Sequence, residues 1–326
     1  MSDALRIDDL GVRYGGTPSV VTGVSLHVGA GELVGLIGES GCGKSTIASA
    51  ILGLLPPTAS VTASRLDAAG HSLLGLDERE YAALRGRVLS IVFQDPLSAL
   101  NPTQRIGRQI AEGLRLHGLA GRREANARAL ELLRLVQVPD PELRMRQYPH
   151  QLSGGLRQRV AIAMAMAAGP SLLVADEPTT ALDATVQAQI LAMLDELRRT
   201  TGTGVLLISH DLGVIAEHCD RVLVMYAGQI VEQGTPAEVL GHPTHPYTRG
   251  LIASAPRIDG PARAELPTIA GAMVEADRTL AGCRFERRCP FAVDGCSAPQ
   301  ALRQIRAEHE VRCLRAEEPV LAELTS

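Results

Sequence analysis

The sequence has few aromatic residues and almost no lysine. Tryptophan is absent and aromatic residues make up 2% of the 326 residues, so the core must be built from aliphatic side chains. The longest apolar runs, such as residues 160–168, are far shorter than the roughly 20 residues that a membrane-spanning helix needs. The N-terminus carries acids early and has no apolar segment, unlike a signal peptide. We therefore expect a cytosolic protein that meets any membrane through partners.

The overall charge and composition exclude some functions and leave others open. The net charge is −4, so no basic field favours nucleic acid. Hydrophobic residues make up 45% and charged residues 21% of the chain, as in ordinary globular proteins. The length suits one large domain with a smaller one, or two of middle size.

Lys44 is the one lysine among 32 basic residues. It lies in a glycine-rich loop, although the chain uses arginine everywhere else. Lysine carries a compact charge on a flexible stem, whereas arginine carries a planar guanidinium. The position of Lys44 indicates that this loop needs the compact charge.

Short apolar runs predict strands buried in a sheet. A partly alternating segment at 5–14 and another at 24–28 predict antiparallel strands. Helical patterns at 44–54 and 186–199 alternate with the buried runs, which favours a mostly parallel sheet covered by helices. An arginine-rich segment at 96–159 predicts an inserted helical subdomain, and residues 255–271 have the composition of a linker. The predicted buried strands are 33–37, 88–93, 172–175, 205–208 and 222–225.

The loop after the first buried strand has the pattern G-x-x-x-x-G-K-[ST] and opens a helix, as a phosphate-binding loop does. Glycines let backbone N–H groups turn toward phosphate oxygens, and the helix N-terminus adds positive potential. Lys44 is expected to reach the β- and γ-phosphates and Ser45 to bind Mg²⁺. The predicted nucleotide-binding residues here are Gly38, Ser40, Gly41, Cys42, Gly43, Lys44, Ser45 and Thr46.

A second apolar strand, 172–175, ends in two adjacent acids, Asp176 and Glu177. The two side chains point in different directions because strand side chains alternate. Asp176 can hold Mg²⁺ through water, and Glu177 can polarise an attacking water molecule.

Several further motifs resemble those of the ATP-binding-cassette (ABC) ATPases, and they occur in that family's order over residues 5–245. The segment 152–159, LSGGLRQR, resembles the family signature LSGGQ, with Leu156 in place of the final Gln. The resemblance implies that Ser153, Gly154, Gly155 and Gln158 act on the nucleotide of a second subunit. Further motif residues are Tyr14 for adenine stacking, Gln94 of the Q-loop as γ-phosphate sensor and Mg²⁺ ligand, Asp183 of the D-loop (181–183) and the switch histidine, His210.

The resemblance implies an α/β fold: a P-loop ATPase with a RecA-like parallel core, an antiparallel β subdomain, an inserted helical subdomain and a small cysteine-rich C-terminal extension. The ATPase domain is predicted at 1–250 and the linker with its extension at 251–326. Ser153–Gly155 precedes a helix and forms a second anion-binding helix N-terminus. One chain has little use for two anion-binding helix N-termini on one nucleotide. We therefore expect the two sites to face each other across an ATP-bound dimer.

The tail contains Cys283, Cys289, Cys296 and Cys313. A cytosolic location argues against disulfides, and the spacings are longer than in usual zinc knuckles. An iron–sulfur cluster is favoured; zinc and unliganded thiols remain alternatives. Because the tail follows a predicted linker, we expect it to contribute nothing to the phosphate site.

The segments 245–251, 266–269 and 283–290 resemble the extension of one ABC branch, the ATPases of dipeptide, oligopeptide and nickel importers. Some members of that branch bind a [4Fe–4S] cluster. The resemblance implies peptide import at the cytoplasmic face of the membrane, driven by MgATP. The implied partners are a second identical or paralogous ATPase subunit, two transmembrane permease subunits and an extracytoplasmic solute-binding protein. The alternatives are a nickel or other small-solute importer, or a soluble ABC ATPase without a membrane partner.

Overall fold

The computed structural model describes residues 3–180, 182–255 and 267–318. Within these ranges the strands form one sheet of five strands and one of eight. Part of the predicted linker, and Ala181 and Leu266 of the predicted motifs, lie outside the described residues. The strands are β1 (Asp3–Tyr14), β2 (Val21–Gly29), β3 (Leu33–Ile37), β4 (Ala59–Thr62), β5 (Arg65–Ala68), β6 (His71–Ser72), β7 (Leu89–Val92), β8 (Leu172–Asp176), β9 (Gly204–Ile208), β10 (Arg221–Tyr226), β11 (Gln229–Gly234), β12 (Arg303–Arg306) and β13 (His309–Val311).

The larger sheet has the order β12-β13-β11-β10-β3-β9-β8-β7. Its pairings from β10 to β7 are parallel, which confirms the predicted parallel core. Every residue of β3 and β9 is buried, because helices and the smaller sheet cover both faces. The carboxyl ends of these parallel strands therefore meet at one edge, where ligands bind in open α/β sheets.

The smaller sheet is antiparallel and confirms the predicted β subdomain. β1 pairs with β2 on one side and with β4 and β5 on the other. Alternating residues of β1, including Leu5 and Ile7, are fully buried. They pack in the same apolar cluster as Ile47 and Ile51 of the helix that follows the glycine-rich loop.

The described residues contain ten α-helices. The first ends two residues earlier than predicted, because Gly53 adopts a left-handed conformation and donates to the carbonyls of Ser49 and Ala50. The α-helices are α1 (Lys44–Leu52), α2 (Glu78–Leu84), α3 (Pro96–Ala99), α4 (Ile106–Leu116), α5 (Arg122–Leu135), α6 (Pro141–Arg144), α7 (Gly154–Met166), α8 (Ala184–Thr201), α9 (Leu212–His218) and α10 (Pro246–Ala253).

Helices α3–α7 form the predicted inserted subdomain between β7 and β8. α4 buries Ile110 and Leu114, and α5 buries Ala129 and Leu133 in the same apolar cluster. The spacing of three to four residues within each helix places these side chains on one face. No helix of the described residues is long and apolar enough to cross a membrane.

The C-terminal region joins the main sheet directly. β13 pairs with β11, and β12 pairs with β13, both antiparallel. Phe285 is 2% exposed and packs against Tyr226 of β10 and Tyr247 of α10. Burying a side chain of this size contributes about 2–3 kcal/mol. The C-terminal region therefore shares the large sheet and the aromatic packing of the ATPase domain.

Candidate nucleotide-binding and hydrolysis site

The glycine-rich loop lies between β3 and α1, at the carboxyl edge of the parallel strands. Gly38, Gly41 and Gly43 have positive φ angles of 151°, 78° and 117°. A Cβ atom at Gly38 would lie 2.2 Å from the carbonyl oxygen of Met225. Glycine is required at Gly38 for both conformation and space, which keeps the backbone free to curl around an anion.

Lys44 opens α1 and points back into the loop. Its Nζ atom donates to the carbonyl oxygens of Gly38 at 2.6 Å and Glu39 at 3.0 Å. Lys44 is 7% exposed, so its charge is held at the centre of the loop. Cys42 is fully buried with its Sγ 3.7 Å from the Lys44 ammonium. Burial raises the pKa of the Cys42 thiol, so Cys42 fills space as a neutral group.

Ser45 and Asp176 come together from the two halves of the site. Asp176 ends β8, and the Ser45 side chain is near enough to its carboxyl group to oppose the rise of its pKa. Burial raises the pKa of Asp176, and the neighbouring charge of Glu177 adds to this effect. A hydroxyl and a partly buried carboxylate are the oxygen ligands that Mg²⁺ takes in phosphate sites. Nearby, the half-buried Tyr14 donates its hydroxyl to Thr46 Oγ1 at 3.4 Å.

Three polar side chains converge on the Glu177 carboxylate. Gln94 Nε2 and Thr180 Oγ1 each donate to Glu177 Oε2 at 3.0 Å, and His210 Nδ1 lies 3.4 Å from the same oxygen. Glu177 has a φ angle of +47°, in the left-handed region that non-glycine residues rarely adopt. Such strain clusters at functional sites. Gln94, Glu177 and His210 were predicted from sequence, whereas Thr180 was missed.

The signature residues divide between the surface and the interior. Ser153 is the N-cap of α7, and its hydroxyl accepts from the Leu156 N–H at 3.4 Å. Ser153 and Gly154 are exposed at this helix N-terminus, but Gln158 is 1% exposed. Gln158 therefore does not share their surface, and its predicted contact with a second subunit's nucleotide does not fit this burial. Asp183 caps α8 by accepting from the Val186 N–H at 3.0 Å.

Residues near the C-terminus also contact the phosphate loop. The hydroxyl of buried Tyr247 accepts from the Glu39 N–H at 2.8 Å. Arg278 donates to the Gly41 carbonyl at 2.5 Å, and Arg288 pairs with the Glu39 carboxylate. Our expectation that the tail contributes nothing to the phosphate site is therefore wrong. No local pattern could have revealed these contacts, because they span more than 200 residues.

The four predicted cysteine ligands line one small cavity together with His245. The Cys283 N–H donates to the Cys296 carbonyl at 2.8 Å, which joins two of the segments. Burial raises the pKa of Cys283 to about 12 and that of Cys313 to about 11. Within the described ranges, no three His, Cys, Asp or Glu residues are arranged to hold a metal ion.

The fold and site define a class of protein. The phosphate loop and the strand ending in Asp176 and Glu177 lie on either side of β9, as parts of one parallel sheet. Together they form the site of a P-loop nucleoside triphosphatase.

Sequence comparisons narrow this class. Residues 21–180 match the family described as ABC transporter, and residues 231–296 match the C-terminal region of oligopeptide and dipeptide transporters. The chain is 47% identical to a Sinorhizobium fredii protein named "Probable peptide ABC transporter ATP-binding protein y4tR", covering 97% of this chain and 96% of that one. It is 45% identical to the dipeptide transport ATP-binding protein DppD of Bacillus subtilis, covering 99% and 98%. The chain belongs to the ABC transporter family and is an ATPase.

Two solved structures agree with this assignment. The dimeric structure of MJ0796, a bacterial ABC transporter cassette, has a TM-score of 0.63 and 28% identity, covering 71% of this chain and 98% of that one. The structure of cbiO1 from Clostridium perfringens has a TM-score of 0.66 and 26% identity, covering 74% and 92%.

Proposed function

We propose that the chain hydrolyses MgATP at this site to drive the import of dipeptides or oligopeptides by an ABC transporter. The observation that carries the hydrolysis step is the convergence of Gln94, Thr180 and His210 on the Glu177 carboxylate, next to the phosphate loop. The peptide substrate is supported by the match of residues 231–296 and by the names of the relatives.

Different residues of the site bind different parts of the nucleotide. Lys44 stabilises the charge of the β- and γ-phosphates, and the backbone N–H groups of the loop cradle their oxygens. Ser45 and Asp176 would hold Mg²⁺, with Gln94 as a further oxygen ligand. Tyr14 stacks on the adenine ring beside Thr46.

Glu177 polarises the attacking water. The Gln94 amide and the Thr180 hydroxyl donate to its carboxylate. These uncharged donors orient the carboxylate and leave its negative charge in place. His210 follows β9, the strand next to β8, and lies 3.4 Å from Glu177, where it would also meet the charge that develops on the γ-phosphate. Gln94 connects the same carboxylate to the start of the helical subdomain.

Two subunits close around the nucleotide. Ser153 and Gly154 present an exposed helix N-terminus, and such a terminus favours phosphate oxygens. Support comes from the dimeric MJ0796 cassette, which was also solved as a dimer in a post-hydrolysis state with ADP and Pi. We propose that Ser153, Gly154 and Gly155 of one subunit bind the ATP held by the other.

The proposed partners are a second ATPase subunit, two permease subunits and an extracytoplasmic solute-binding protein, with this chain at the cytoplasmic face of the membrane. A strain without the gene should lose uptake of labelled dipeptide or oligopeptide. Wild-type protein should restore uptake and the Glu177→Gln variant should not. Loss of nickel uptake with normal peptide uptake would favour the alternative substrate, and normal uptake of both would point to an ATPase without a transport role.

We also propose that the four cysteines hold a [4Fe–4S] cluster. Four thiols lining one cavity match the donor set of such a cluster. Buried Arg284 and half-buried Arg312 lie in the adjoining segments, so their charge would offset that of the thiolates. A cluster here would cross-link the segments around Cys283, Cys289, Cys296 and Cys313.

Metal analysis tests this assignment. Protein purified without oxygen should be brown, absorb near 400 nm and contain about four irons per chain. The Cys289→Ser variant should lose the colour. One zinc per chain would instead indicate a structural zinc site. Protein without metal would leave four ordinary thiols.

A further inference from the structure

Arg288 and Glu39 form an ion pair between the C-terminal region and the phosphate loop. Arg288 Nη1 donates to Glu39 Oε2 at 2.9 Å, and Nη2 donates to Glu39 Oε1 at 3.1 Å. The two side chains are 8% and 25% exposed. Two parallel charge-assisted bonds in a mostly buried setting fix the direction of both groups.

The guanidinium of Arg288 is held in place by further contacts. Its Nε donates to the Ala270 carbonyl at 2.9 Å, and Nη2 donates to the Gly271 carbonyl at 3.2 Å. Its Cζ atom lies 5.7 Å from the ring centres of both Tyr226 and Phe285, which adds cation–π attraction. Arg288 therefore presents a fixed charge to the loop.

Glu39 links Arg288 to Lys44, the lysine that we propose to bind phosphate. Its N–H donates to the hydroxyl of Tyr247 at 2.8 Å, and its carbonyl accepts from Lys44 Nζ at 3.0 Å. The carboxylate, the backbone and the lysine ammonium thus belong to one chain of contacts. A change at Arg288 would reach Lys44 through a single residue.

Glu39 would also oppose nucleotide binding if it had no counterion. It lies inside a loop that we propose to bind a triphosphate, and a carboxylate there repels negative phosphates. Arg288 neutralises this carboxylate and draws it to the side of the C-terminal region. We propose that Arg288 is a positioning residue for ATP binding, supplied to the phosphate loop by the C-terminal region. This inference rests on the proposed role of the loop.

The first test compares ATP hydrolysis by the Arg288→Ala variant and the wild-type chain. We expect KM for ATP to rise about tenfold and kcat to change less than about threefold, because the lost contact acts on binding. The Arg288→Lys variant should fall between the two, since it keeps the charge but loses the two-pronged bond. Arg287→Ala is the matched control: Arg287 is 55% exposed and lies 3.9 Å from Asp277, so its KM should stay at the wild-type value.

The second test is rescue. In Arg288→Ala/Glu39→Gln the loop carries no uncompensated carboxylate, so KM should return to within about twofold of wild type. A purely structural role of Arg288 predicts no rescue, and that outcome, or an unchanged KM in Arg288→Ala, overturns the inference. If Arg288→Ala does not fold, the same comparison is made with Arg288→Gln and Arg288→Gln/Glu39→Gln, because glutamine removes the charge but fills more of the space than alanine. If Lys44→Ala abolishes ATP binding while Arg288→Ala has a normal KM, the proposed function is retained and only this inference is rejected.

Discussion

Gln94 donates its side-chain amide to the Glu177 carboxylate at 3.0 Å, across a sequence separation of 83 residues. Gln94 follows β7 and Glu177 follows β8, and these strands are parallel neighbours in the large sheet. The next residue, Asp95, is the N-cap of α3 and so begins the helical subdomain. A movement of that subdomain can therefore reach the proposed catalytic carboxylate through one hydrogen bond.

The Glu177→Gln variant should keep ATP binding and lose most turnover. Glutamine fills the same space, but it is a poor base and cannot polarise water as a carboxylate does. We expect phosphate release to fall about 100-fold or more. Bound ATP should then persist, and size-exclusion chromatography with ATP and Mg²⁺ should show a stable dimer.

Glu217→Gln is the matched control for this variant. Glu217 is 78% exposed and lies on α9, and it is not among the proposed nucleotide-site residues, so the turnover of this variant should equal that of wild type. Near-normal hydrolysis by the Glu177→Gln variant would show that another group activates the water.

The Lys44→Arg variant should lose most of its ATPase activity. The Lys44 ammonium is buried between two loop carbonyls, at 2.6 and 3.0 Å, where a guanidinium has no equivalent space. We expect less than about a tenth of the wild-type rate, measured by phosphate release at saturating ATP. A rate above about half of wild type would mean that the lone lysine reflects composition and not mechanism.

The His210→Ala variant should lower kcat with little change in KM for ATP. His210 touches Glu177 at 3.4 Å and its side chain is 65% exposed, so it orients the proposed base without holding the phosphate loop. We expect kcat to fall about tenfold to 100-fold. His71→Ala, in β6 of the smaller sheet, should leave both constants unchanged. A rise in KM with normal kcat would instead assign His210 to nucleotide binding.

The phosphate loop was predictable from sequence because its chemistry is local. The glycines, Lys44 and Ser45 are consecutive, and the buried strand before them fixes their place at the sheet edge. The buried strands were predictable for a related reason: a strand covered on both faces must be apolar throughout. Short exposed strands such as β4 and β6 carry no such pattern and were missed.

The contribution of the C-terminal region was not predictable in the same way. Its composition suggested a linker and a separate tail, but Arg288 reaches Glu39 across 249 residues. Arginine is common throughout this chain, so nothing local distinguishes Arg288 from exposed Arg287. The burial of Gln158 was unpredictable for the opposite reason: its place in a motif suggested a surface role, while helix α7 turns its side chain into the core.

Two glycines of α4 offer a matched pair for stability. A Cβ at Gly113 would meet nothing within 4 Å among the described residues, and Gly113 lies inside the helix, three residues before its last residue. Gly113→Ala should raise the free energy of unfolding by about 0.5–1 kcal/mol, because alanine loses less backbone entropy on folding. A Cβ at Gly107 would lie 2.6 Å from Met145 Sδ and 3.0 Å from its carbonyl oxygen. Gly107→Ala should therefore lower the free energy of unfolding, by about 1–2 kcal/mol.

Urea unfolding followed by circular dichroism measures both variants against wild type. Helix propensity favours alanine at both positions, whereas packing against Met145 opposes alanine at Gly107 alone. Changes of opposite sign in the free energy of unfolding would therefore separate the two effects. Equal stabilisation of both variants would show that Met145 moves aside without cost. Destabilisation by Gly113→Ala would contradict the open space beside Gly113, because alanine favours an unobstructed helix interior.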